Sequence, residues 1–399
     1  MLWPPPMSGT ARPPVILQVL PALQAGGVER GTIEMVRAIS GAGGVALVAS
    51  AGGRMTPLVL RAGGRHITMK LLTKNPLRMW LNAGRLARLI RAEGVDIVHA
   101  RSRAPAWSAM LAARRTKAAF MTTWHGVYSE NMPFKQYYNA IMARGDRVIA
   151  ISDFVAGRIA REYDVEPARL RTIPRGADLA AFDPQAVRGG RVHALSRDWN
   201  LPDGAKVIMV AGRVTHWKGQ GLLLESLALL PSSSADWVCV LVGPEQRQGA
   251  YADSLLAQAR RLGIAHRLRF AGHCDDMPAA FLLADVVVVP SLKPEPFGRV
   301  VVEAQAMGRA VVVAAHGGAI ETVQHGTSGY LFTPGDAVAL AGMVACVLAL
   351  SPAERENLGH CARAGVTANY SAEAMQRATL AVYDELLRTR PGPPEWPAS

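Results

Sequence analysis

The sequence is short of cysteine and of long apolar runs. Its 399 residues include four cysteines. These form no Cys-x-x-Cys pair and have no histidine at ligand spacing, which argues against a disulfide framework or a zinc site and favours free thiols in a reducing cytosol. No apolar run approaches the roughly 20 residues of a membrane-spanning helix. Residues 1–14 lack the apolar centre of a signal peptide and are predicted to be a disordered leader.

Acidic residues are scarce in the first half of the chain. Residues 1–195 contain 27 Lys and Arg against 12 Asp and Glu, a balance of +15, and the remainder has 17 against 19, or −2, giving the net +13. Nucleic acid, anionic lipid and a phosphorylated acceptor are the candidate partners of such a basic half. Nucleic acid is disfavoured, because no recognition-module signature accompanies the charge.

Apolar, β-branched segments alternate with amphipathic helical segments along the chain. This alternation predicts an α/β protein with two doubly wound parallel sheets. Residues 15–185 are predicted to form the first Rossmann-like domain and residues 206–370 the second. The Pro-, Gly- and Arg-rich residues 186–205 are interpreted as the linker. A last helix is predicted over residues 371–389, before a disordered Pro-rich tail at 390–399.

One strand–loop–helix–strand segment organises the second half. The apolar run Val286–Val289 leads into a loop broken by prolines, and a helix carrying Glu303 follows. Such a loop lies at the carboxyl edge of a parallel sheet, where these folds bind ligands, so Glu295 and Glu303 could face one crevice. The N–H groups of Phe297 to Val300 at the helix start suit a phosphate. The alternative is that Glu303 faces solvent.

A second loop of the same half carries two cations. Gly212 ends a strand, and Arg213 and Lys218 follow before the next helix. Two cations at the carboxyl end of a strand suit a diphosphate, which carries about two negative charges. The alternative is an ordinary solvated loop.

Three features of the first half follow predicted strands. The pair Gly26 and Gly27 separates a strand from a helix, where glycine lets the backbone approach a ligand, although a plain turn also uses glycine. Arg101 and Arg103 lie after another strand, which favours an anion-binding role. His125 also follows a strand, which favours a side chain that faces a ligand over a core histidine.

Residues 76–91 are predicted to form an amphipathic helix, with Met79, Ala83, Leu86 and Ile90 on its core face. The other faces carry basic residues and Trp80. This pattern fits a helix that covers the sheet and exposes a solvated basic face. It also fits an edge that rests on an anionic membrane, which basic amphipathic helices favour.

Together these motifs resemble one family. The segment P-S-x-x-x-E-P-F-G-x-x-x-x-E-A, the loop G-R-x-x-x-x-K-G and the early Gly-Gly match, in order and spacing, the GT-B fold glycosyltransferases of family 4, also called group 1. The resemblance covers nearly all of residues 15–389. It implies two Rossmann-like domains facing across a cleft, a final helix that crosses back to the N-terminal domain, a nucleotide-sugar donor and retention of anomeric configuration.

The resemblance also assigns roles in donor binding. Arg213 and Lys218 would hold the donor diphosphate, next to Gly212, and neutralise the departing nucleotide. Glu295 would contact the hydroxyls of the transferred sugar, and Glu303 those of the ribose. The amides of the helix start would contact the phosphates; this start comprises Phe297, Gly298, Arg299 and Val300.

In the first half, the resemblance implies that Gly26 and Gly27 let the N-terminal domain close on donor and acceptor. His125 would lie beside the sugar at the reaction centre. Arg175 stands where relatives commonly carry asparagine. It adds a cation that, with Arg101 and Arg103, would suit an anionic acceptor.

No carboxylate presents itself as the nucleophile that retention normally demands. A same-face attack assisted by the leaving phosphate is therefore the expectation from the family. The sequence contains no Asp-x-Asp, which argues against an obligatory metal clamp on the diphosphate. No metal and no cofactor beyond a GDP- or UDP-hexose co-substrate are expected.

The segments His-Ala-Arg-Ser-Arg-Ala-Pro-Ala-Trp, at residues 99–107, and Ile-Pro-Arg-Gly, at residues 173–176, resemble those of bacterial lipopolysaccharide-core mannosyltransferases. This narrower resemblance is an expectation. It predicts transfer of a mannose- or glucose-type hexose to an anionic glycolipid or lipopolysaccharide-core acceptor in cell-envelope synthesis. The enzyme would be cytoplasmic and peripheral to the anionic inner membrane, with no nucleic acid partner. The alternatives are a nucleotide-sugar 2-epimerase of the same fold and a catalytically silent nucleotide-binding envelope protein.

Overall fold

The chain, seen in a computed structural model, divides into two compact units. The first comprises Met1–Pro174 and Ala374–Ser399, and the second Arg175–Glu373. The structure describes residues 12–24, 26–128, 133–231, 236–245 and 250–389. Most of the predicted leader, residues 1–11, and all of the predicted tail, 390–399, lie outside these ranges.

Within those ranges the first unit contains a seven-stranded parallel sheet in the order β3-β2-β1-β4-β5-β6-β7. The central strands are buried, because helices cover both faces of a doubly wound sheet. The strands are β1 (Val15–Val19), β2 (Val45–Ser50), β3 (Arg65–Thr68), β4 (Ile97–Ala100), β5 (Ala119–Trp124), β6 (Arg147–Ala150) and β7 (Leu170–Thr172).

Among the described residues, side chains cap some, but not all, of the helices of the first unit. Asn75 accepts a hydrogen bond from the backbone N–H of Arg78, and Ser152 accepts one from that of Val155. These helices are α1 (Gly27–Gly41), α2 (Thr56–Arg61), α3 (Pro76–Glu93), α4 (Arg103–Thr116), α5 (Pro133–Asn139), α6 (Asp153–Tyr163) and α14 (Ala372–Arg388).

Helix α14 packs on the first unit, although it comes last in the chain. Tyr383 is fully buried in the core that contains Ile16 and Leu20. Near the end of α14, the carboxylate of Glu385 pairs with Arg147 at 2.6 Å. The predicted return of the last helix to the N-terminal domain is therefore confirmed.

A buried histidine joins α14 to the sheet. The ring of His99 on β4 lies 2.7 Å from the hydroxyl of Tyr383 through Nδ1 and 2.7 Å from that of Thr123 through Nε2. Burial, and secondarily the charge of Arg101, lowers the pKa of His99 well below its usual value. The neutral ring is therefore the native form.

Because His99 is buried in its neutral form, we expect the stability of the fold to decrease in acid. The unfolded chain protonates His99 near its ordinary pKa of about 6.5, whereas the folded chain does not, so the stability that His99 contributes is complete above that pH and falls below it. The free energy of unfolding should decrease by up to about 1.4 kcal/mol per pH unit from this one group. Chemical denaturation at several pH values checks it: H99Q should flatten the dependence and H360Q, at an exposed position, should not. Equal slopes in H99Q and wild type would contradict the prediction.

Among the described residues of the second unit, a six-stranded parallel sheet has the order β10-β9-β8-β11-β12-β13. Its strands are β8 (Lys206–Ala211), β9 (Trp237–Val242), β10 (Leu268–Gly272), β11 (Val286–Val289), β12 (Ala310–Ala314) and β13 (Tyr330–Phe332). Its helices are α7 (Gly189–Asp198), α8 (Gln220–Ala228), α9 (Ala250–Arg261), α10 (Met277–Leu283), α11 (Arg299–Ala306), α12 (Ala337–Ala349) and α13 (Pro352–Asn369).

The boundary between the units differs from the prediction. It falls at Pro174/Arg175 instead of residue 185, and the predicted linker, residues 186–205, contains helix α7. Arg191 of this helix is fixed by an ion pair to Asp276, whose carboxylate accepts from its Nε at 2.7 Å. A Pro- and Gly-rich composition does not reveal such a tertiary contact.

Within the described ranges, no single helix is long and apolar enough to span a membrane. The helices α12 and α13, which are joined by a sharp bend, together have the length and composition of such a span.

Candidate functional site

The carboxyl edge of the second sheet is built around glycines. The N–H of Gly212, after β8, donates to the carbonyl of Val242 at 2.8 Å, and that of Gly243 donates to the carbonyl of Gly272 at 2.7 Å. A Cβ on Gly243 would lie 2.0 Å from the carbonyl oxygen of Gly212. Glycine is therefore required where these strand ends meet, and the loops after them are held close together.

The loops after β8 and β11 fit together without side chains between their backbones. Gly219 has φ 75°, and a Cβ there would lie 1.8 Å from the carbonyl oxygen of Pro290. Next to it, the N–H of Leu292 donates to the carbonyl of Trp217 at 2.8 Å. The close approach fixes the short turn His216–Lys218 against the loop that carries Glu295.

Lys218 and Glu295 form an ion pair at this junction. Nζ of Lys218 lies 2.7 Å from Oε1 of Glu295, and the two side chains are 13% and 10% exposed. The hydroxyl of Ser291 donates to the same carboxylate oxygen. Nζ also lies 4.7 Å from the centroid of the Trp217 ring. Two residues that were predicted separately, one for the diphosphate and one for the sugar, are thus in direct contact.

The backbone of Glu295 is held from the other side by the loop after β12. The carbonyl of Glu295 accepts from the N–H of Gly318 at 2.8 Å. Nε2 of His316 donates to the carbonyl of Ser291 at 2.7 Å. A Cβ on Gly317, with φ 71°, would lie 2.5 Å from the carbonyl oxygen of Glu295. Three loops therefore position this one carboxylate.

Helix α11 begins next to this carboxylate. Gly298, with φ 92°, precedes it, and no side chain among the described residues caps the first turn. The N–H of Val301 in that turn donates to the carbonyl of Gly298 at 2.9 Å. The start of a helix without a side-chain cap suits an anion. Glu303 is paired with Arg299 at 2.7 Å, and its side chain is 7% exposed. The alternative in which Glu303 faces solvent is wrong.

Arg213 has a different environment from Lys218. Its side chain is exposed, and its backbone carbonyl accepts from Nε2 of Gln220 at 3.1 Å. Arg213 therefore adds a solvent-exposed cation to the loop in which Lys218 is held by Glu295.

The second unit holds Gly212, Arg213, Lys218, Glu295, Phe297, Gly298, Arg299, Val300, Glu303 and Arg175. Phe297 is buried, and its ring lies against that of Tyr370. Arg175 is also buried, at the start of the unit. Lys218 and Glu295 are in direct contact, and a Cβ on Gly212 would lie 3.6 Å from Cε of Lys218.

The first unit holds Gly26, Gly27, Arg101, Arg103 and His125. Gly26 has φ 142° and precedes α1.

Arg101 and Arg103 of the first unit differ in what surrounds them. Arg101 is 3% exposed, and burial lowers the pKa of its guanidinium, while Tyr383 and Glu34 favour its charge. Arg103 packs on the ring of Tyr128 at 3.9 Å and donates to Asn139 at 2.6 Å. These contacts give Arg103 a structural role, and the acceptor role stays a prediction for both arginines.

The sequence did not single out Ser291, Trp217, His316 or Gly317. The phrase Ala-His-Gly-Gly after β12 was the available signal, because glycines that follow a buried strand mark close backbone approach. Among the described residues, no three His, Cys, Asp or Glu side chains converge in a way that could hold a metal ion.

Comparison with known proteins gives two family matches. Residues 193–364 match the model described as "Glycosyl transferases group 1", and residues 25–181 match "Glycosyltransferase Family 4". A D-inositol 3-phosphate glycosyltransferase of Salinispora tropica is 35% identical over 209 residues, which are 50% of this chain and 43% of that protein. The chain spans about half the length of the curated relatives it matches.

Solved structures cover nearly the whole chain. Among them, a glycosyltransferase from Rickettsia africae ESF-5 is 34% identical with a TM-score of 0.88, over 95% of this chain and 100% of that one. Anabaena Alr3699/HepE, in complex with UDP and glucose, is 23% identical with a TM-score of 0.81, over 93% and 99%. The second likeness concerns the fold alone.

These matches confirm the predicted GT-B fold, while the narrower resemblance to lipopolysaccharide-core mannosyltransferases stays a prediction. Each half of the chain matches a glycosyltransferase family model, and a relative with 34% identity is covered along its full length. The chain belongs to the group 1, family 4 glycosyltransferases.

Proposed function

We propose that this protein is a retaining glycosyltransferase that moves a mannose- or glucose-type hexose from a nucleotide-diphosphate sugar to an anionic glycolipid or lipopolysaccharide-core acceptor. The observation that carries the proposal is the Lys218–Glu295 pair, fixed by three loops beside an uncapped helix start. Family membership supports the class of reaction, and the Anabaena neighbour was solved with UDP and glucose.

The donor diphosphate would bind between the cations and the start of α11. Arg213 is exposed and can turn toward the phosphates, and Lys218 needs only to exchange Glu295 for a phosphate oxygen. Backbone amides of Phe297 to Val300 would donate to the same group. Glu295, released from Lys218, would then accept hydrogen bonds from sugar hydroxyls, and Glu303 from the ribose.

The chemistry then follows from charge. Breaking the bond between sugar and phosphate develops negative charge on the diphosphate and positive charge on an oxocarbenium-like sugar. Fixed cations and amide dipoles stabilise the leaving group, which is where most electrostatic catalysis arises. A leaving phosphate oxygen would take the acceptor proton on the same face, which preserves configuration. His125 would lie beside the sugar, and the positive charges of Arg213 and Lys218 would replace a metal ion.

The acceptor is proposed to be anionic because the first half of the chain carries a balance of +15. The Salinispora relative is named for an inositol phosphate, which also carries negative charge. Arg101, Arg103 and Arg175 are the candidate acceptor contacts. The free cysteines suit a reducing compartment, and we place the enzyme at the cytoplasmic face of the inner membrane.

A thermal-shift screen of UDP-, GDP- and ADP-sugars tests the donor assignment. A ligand at 100 times its Kd stabilises the folded chain by about 2.7 kcal/mol, so one donor should raise Tm clearly above the others. Stabilisation by none of the three would contradict the proposal. Conversion of the donor without any acceptor would instead favour the 2-epimerase. Binding without transfer to any glycolipid would favour the silent nucleotide-binding protein.

A further inference from the structure

The exposed face of helix α3 is apolar at its beginning. Leu77, Trp80 and Leu81 follow the i, i+3, i+4 spacing of one helix face and are 66%, 56% and 46% exposed. Leu72, in the loop before the helix, is 70% exposed. We call Leu77, Trp80 and Leu81 the α3 patch. Large apolar side chains that are grouped on a surface mark an interaction site more often than single ones do.

The α3 patch is not needed to hold the helix in place. The opposite face of α3 is buried, through Ala83, Leu86 and Ile90. Hydrogen bonds fix the beginning of the helix as well: Nδ2 of Asn82 donates to the carbonyl of Lys70 at 3.0 Å, and the hydroxyl of Ser108 donates to the carbonyl of Met79 at 3.1 Å. The patch therefore has no packing role in its own unit that explains it.

Cations lie beside the α3 patch and along the helix that carries it. The guanidinium carbon of Arg115, from α4, lies 5.4 Å from the centroid of the Trp80 ring. The sequence has no aspartate or glutamate between Glu34 and Glu93. The exposed basic residues between residue 70 and the end of the helix are Lys70, Lys74, Arg78, Arg85, Arg88 and Arg91. No acidic side chain of this stretch offsets their charge.

We propose that the α3 patch docks the protein on an anionic lipid surface. Tryptophan and leucine side chains enter the boundary between headgroups and acyl chains, and neighbouring lysines and arginines attract anionic headgroups. A second copy of this chain would fit poorly, because a symmetric contact would bring the same cations face to face. A membrane supplies both an apolar layer and negative charge.

The docking of the α3 patch on lipid follows from the patch itself, whereas a lipid acceptor at that surface rests on the proposed function. The inference names the surface on which the enzyme would meet that acceptor. The sequence was compatible with either a solvated basic face or a membrane-bound one on this helix, and we propose the membrane-bound one.

Sedimentation with vesicles tests the inference on the full chain. Vesicles of phosphatidylcholine alone are compared with vesicles that also contain phosphatidylglycerol, at low and at high salt and without nucleotide sugar or acceptor. We expect binding to the anionic vesicles at low salt, and weaker binding at high salt because salt screens exposed charges. Because nothing is transferred in this assay, its outcome is separate from that of the donor screen.

Two surface variants locate the contact. L77S/W80S/L81S should bind anionic vesicles at least about tenfold more weakly than wild type. R78S/R85S/R88S should lose about fivefold for each cation removed. The control L229S/V338S changes apolar side chains of the second unit that are 54% and 72% exposed, and it should bind like wild type.

Three results would overturn the inference. One is absence of binding to anionic vesicles at low salt, and another is equal binding by the α3 variants and wild type. The third is a dimer, seen by sedimentation velocity, that L77S/W80S/L81S abolishes without any vesicle binding in wild type. That result would assign the α3 patch to a second copy of the chain.

Discussion

Replacing Lys218 by alanine is expected to lower sugar transfer by about 10²–10³-fold, which is the usual loss when one fixed group that stabilises developing charge is removed. Lys218 is held at 2.7 Å from Glu295 before any donor binds, so its charge is already positioned at the site. R213A should lower transfer less, because Arg213 is exposed and pays side-chain entropy when it becomes fixed. The measurement is nucleotide release from UDP-glucose or GDP-mannose in the presence of extracted membrane lipid.

The K218A variant also leaves a nearly buried carboxylate without its cation, which by itself destabilises a protein. The double variant K218M/E295Q removes both charges and separates the two effects. We expect its unfolding midpoint to return toward that of wild type while transfer stays low. K206A is the matched control: Lys206 begins the same strand, β8, and Arg355 still pairs with its partner Asp285. Normal transfer by K218A would remove the diphosphate role.

Replacing Gly219 by alanine is expected to destabilise the second unit by about 3 kcal/mol or more, because overpacking and a left-handed backbone both oppose the new methyl group. The added Cβ would lie 1.8 Å from the carbonyl oxygen of Pro290. Backbone atoms cannot turn aside as a flexible side chain can. The two loops must therefore separate, which would also draw Lys218 away from Glu295.

Gly263 provides a closely matched control for that experiment. Its φ is 74°, against 75° for Gly219, and a Cβ there would meet nothing within 4 Å. G263A should therefore cost only the backbone strain, about 1 kcal/mol. Urea unfolding of the two variants isolates the collision between the loops. If G219A were no less stable than G263A, the close approach of these loops would be refuted.

The longer elements of the fold were predictable because their patterns are local. The β-branched runs of β1, β8 and β11 and the apolar spacing of α3 indicate their structure directly. The strands β7 and β13 were not predicted. Each has three residues, Leu170–Thr172 and Tyr330–Phe332, and depends on pairing with a neighbouring strand. So short a segment carries no periodicity of its own.

The candidate site was predicted as a set of residues but not as a set of contacts. The motifs indicated Lys218 and Glu295, which are 77 positions apart and were expected to bind different parts of a donor. In the structure Lys218 and Glu295 bind each other, because the loops that carry them approach closely at Gly219. The Arg299–Glu303 pair is local, at i,i+4, and could have been predicted from helix geometry alone.

Titration calorimetry with UDP and GDP on the full chain is the most direct test of the proposed donor site. We predict that one of the two nucleotides binds at a single site and that K218A weakens its binding at least about tenfold, since a charge-assisted contact to phosphate contributes about 1.5–3 kcal/mol. K206A should bind like wild type. Absence of binding by both nucleotides, or equal affinities of wild type and K218A, would contradict a diphosphate site at Lys218.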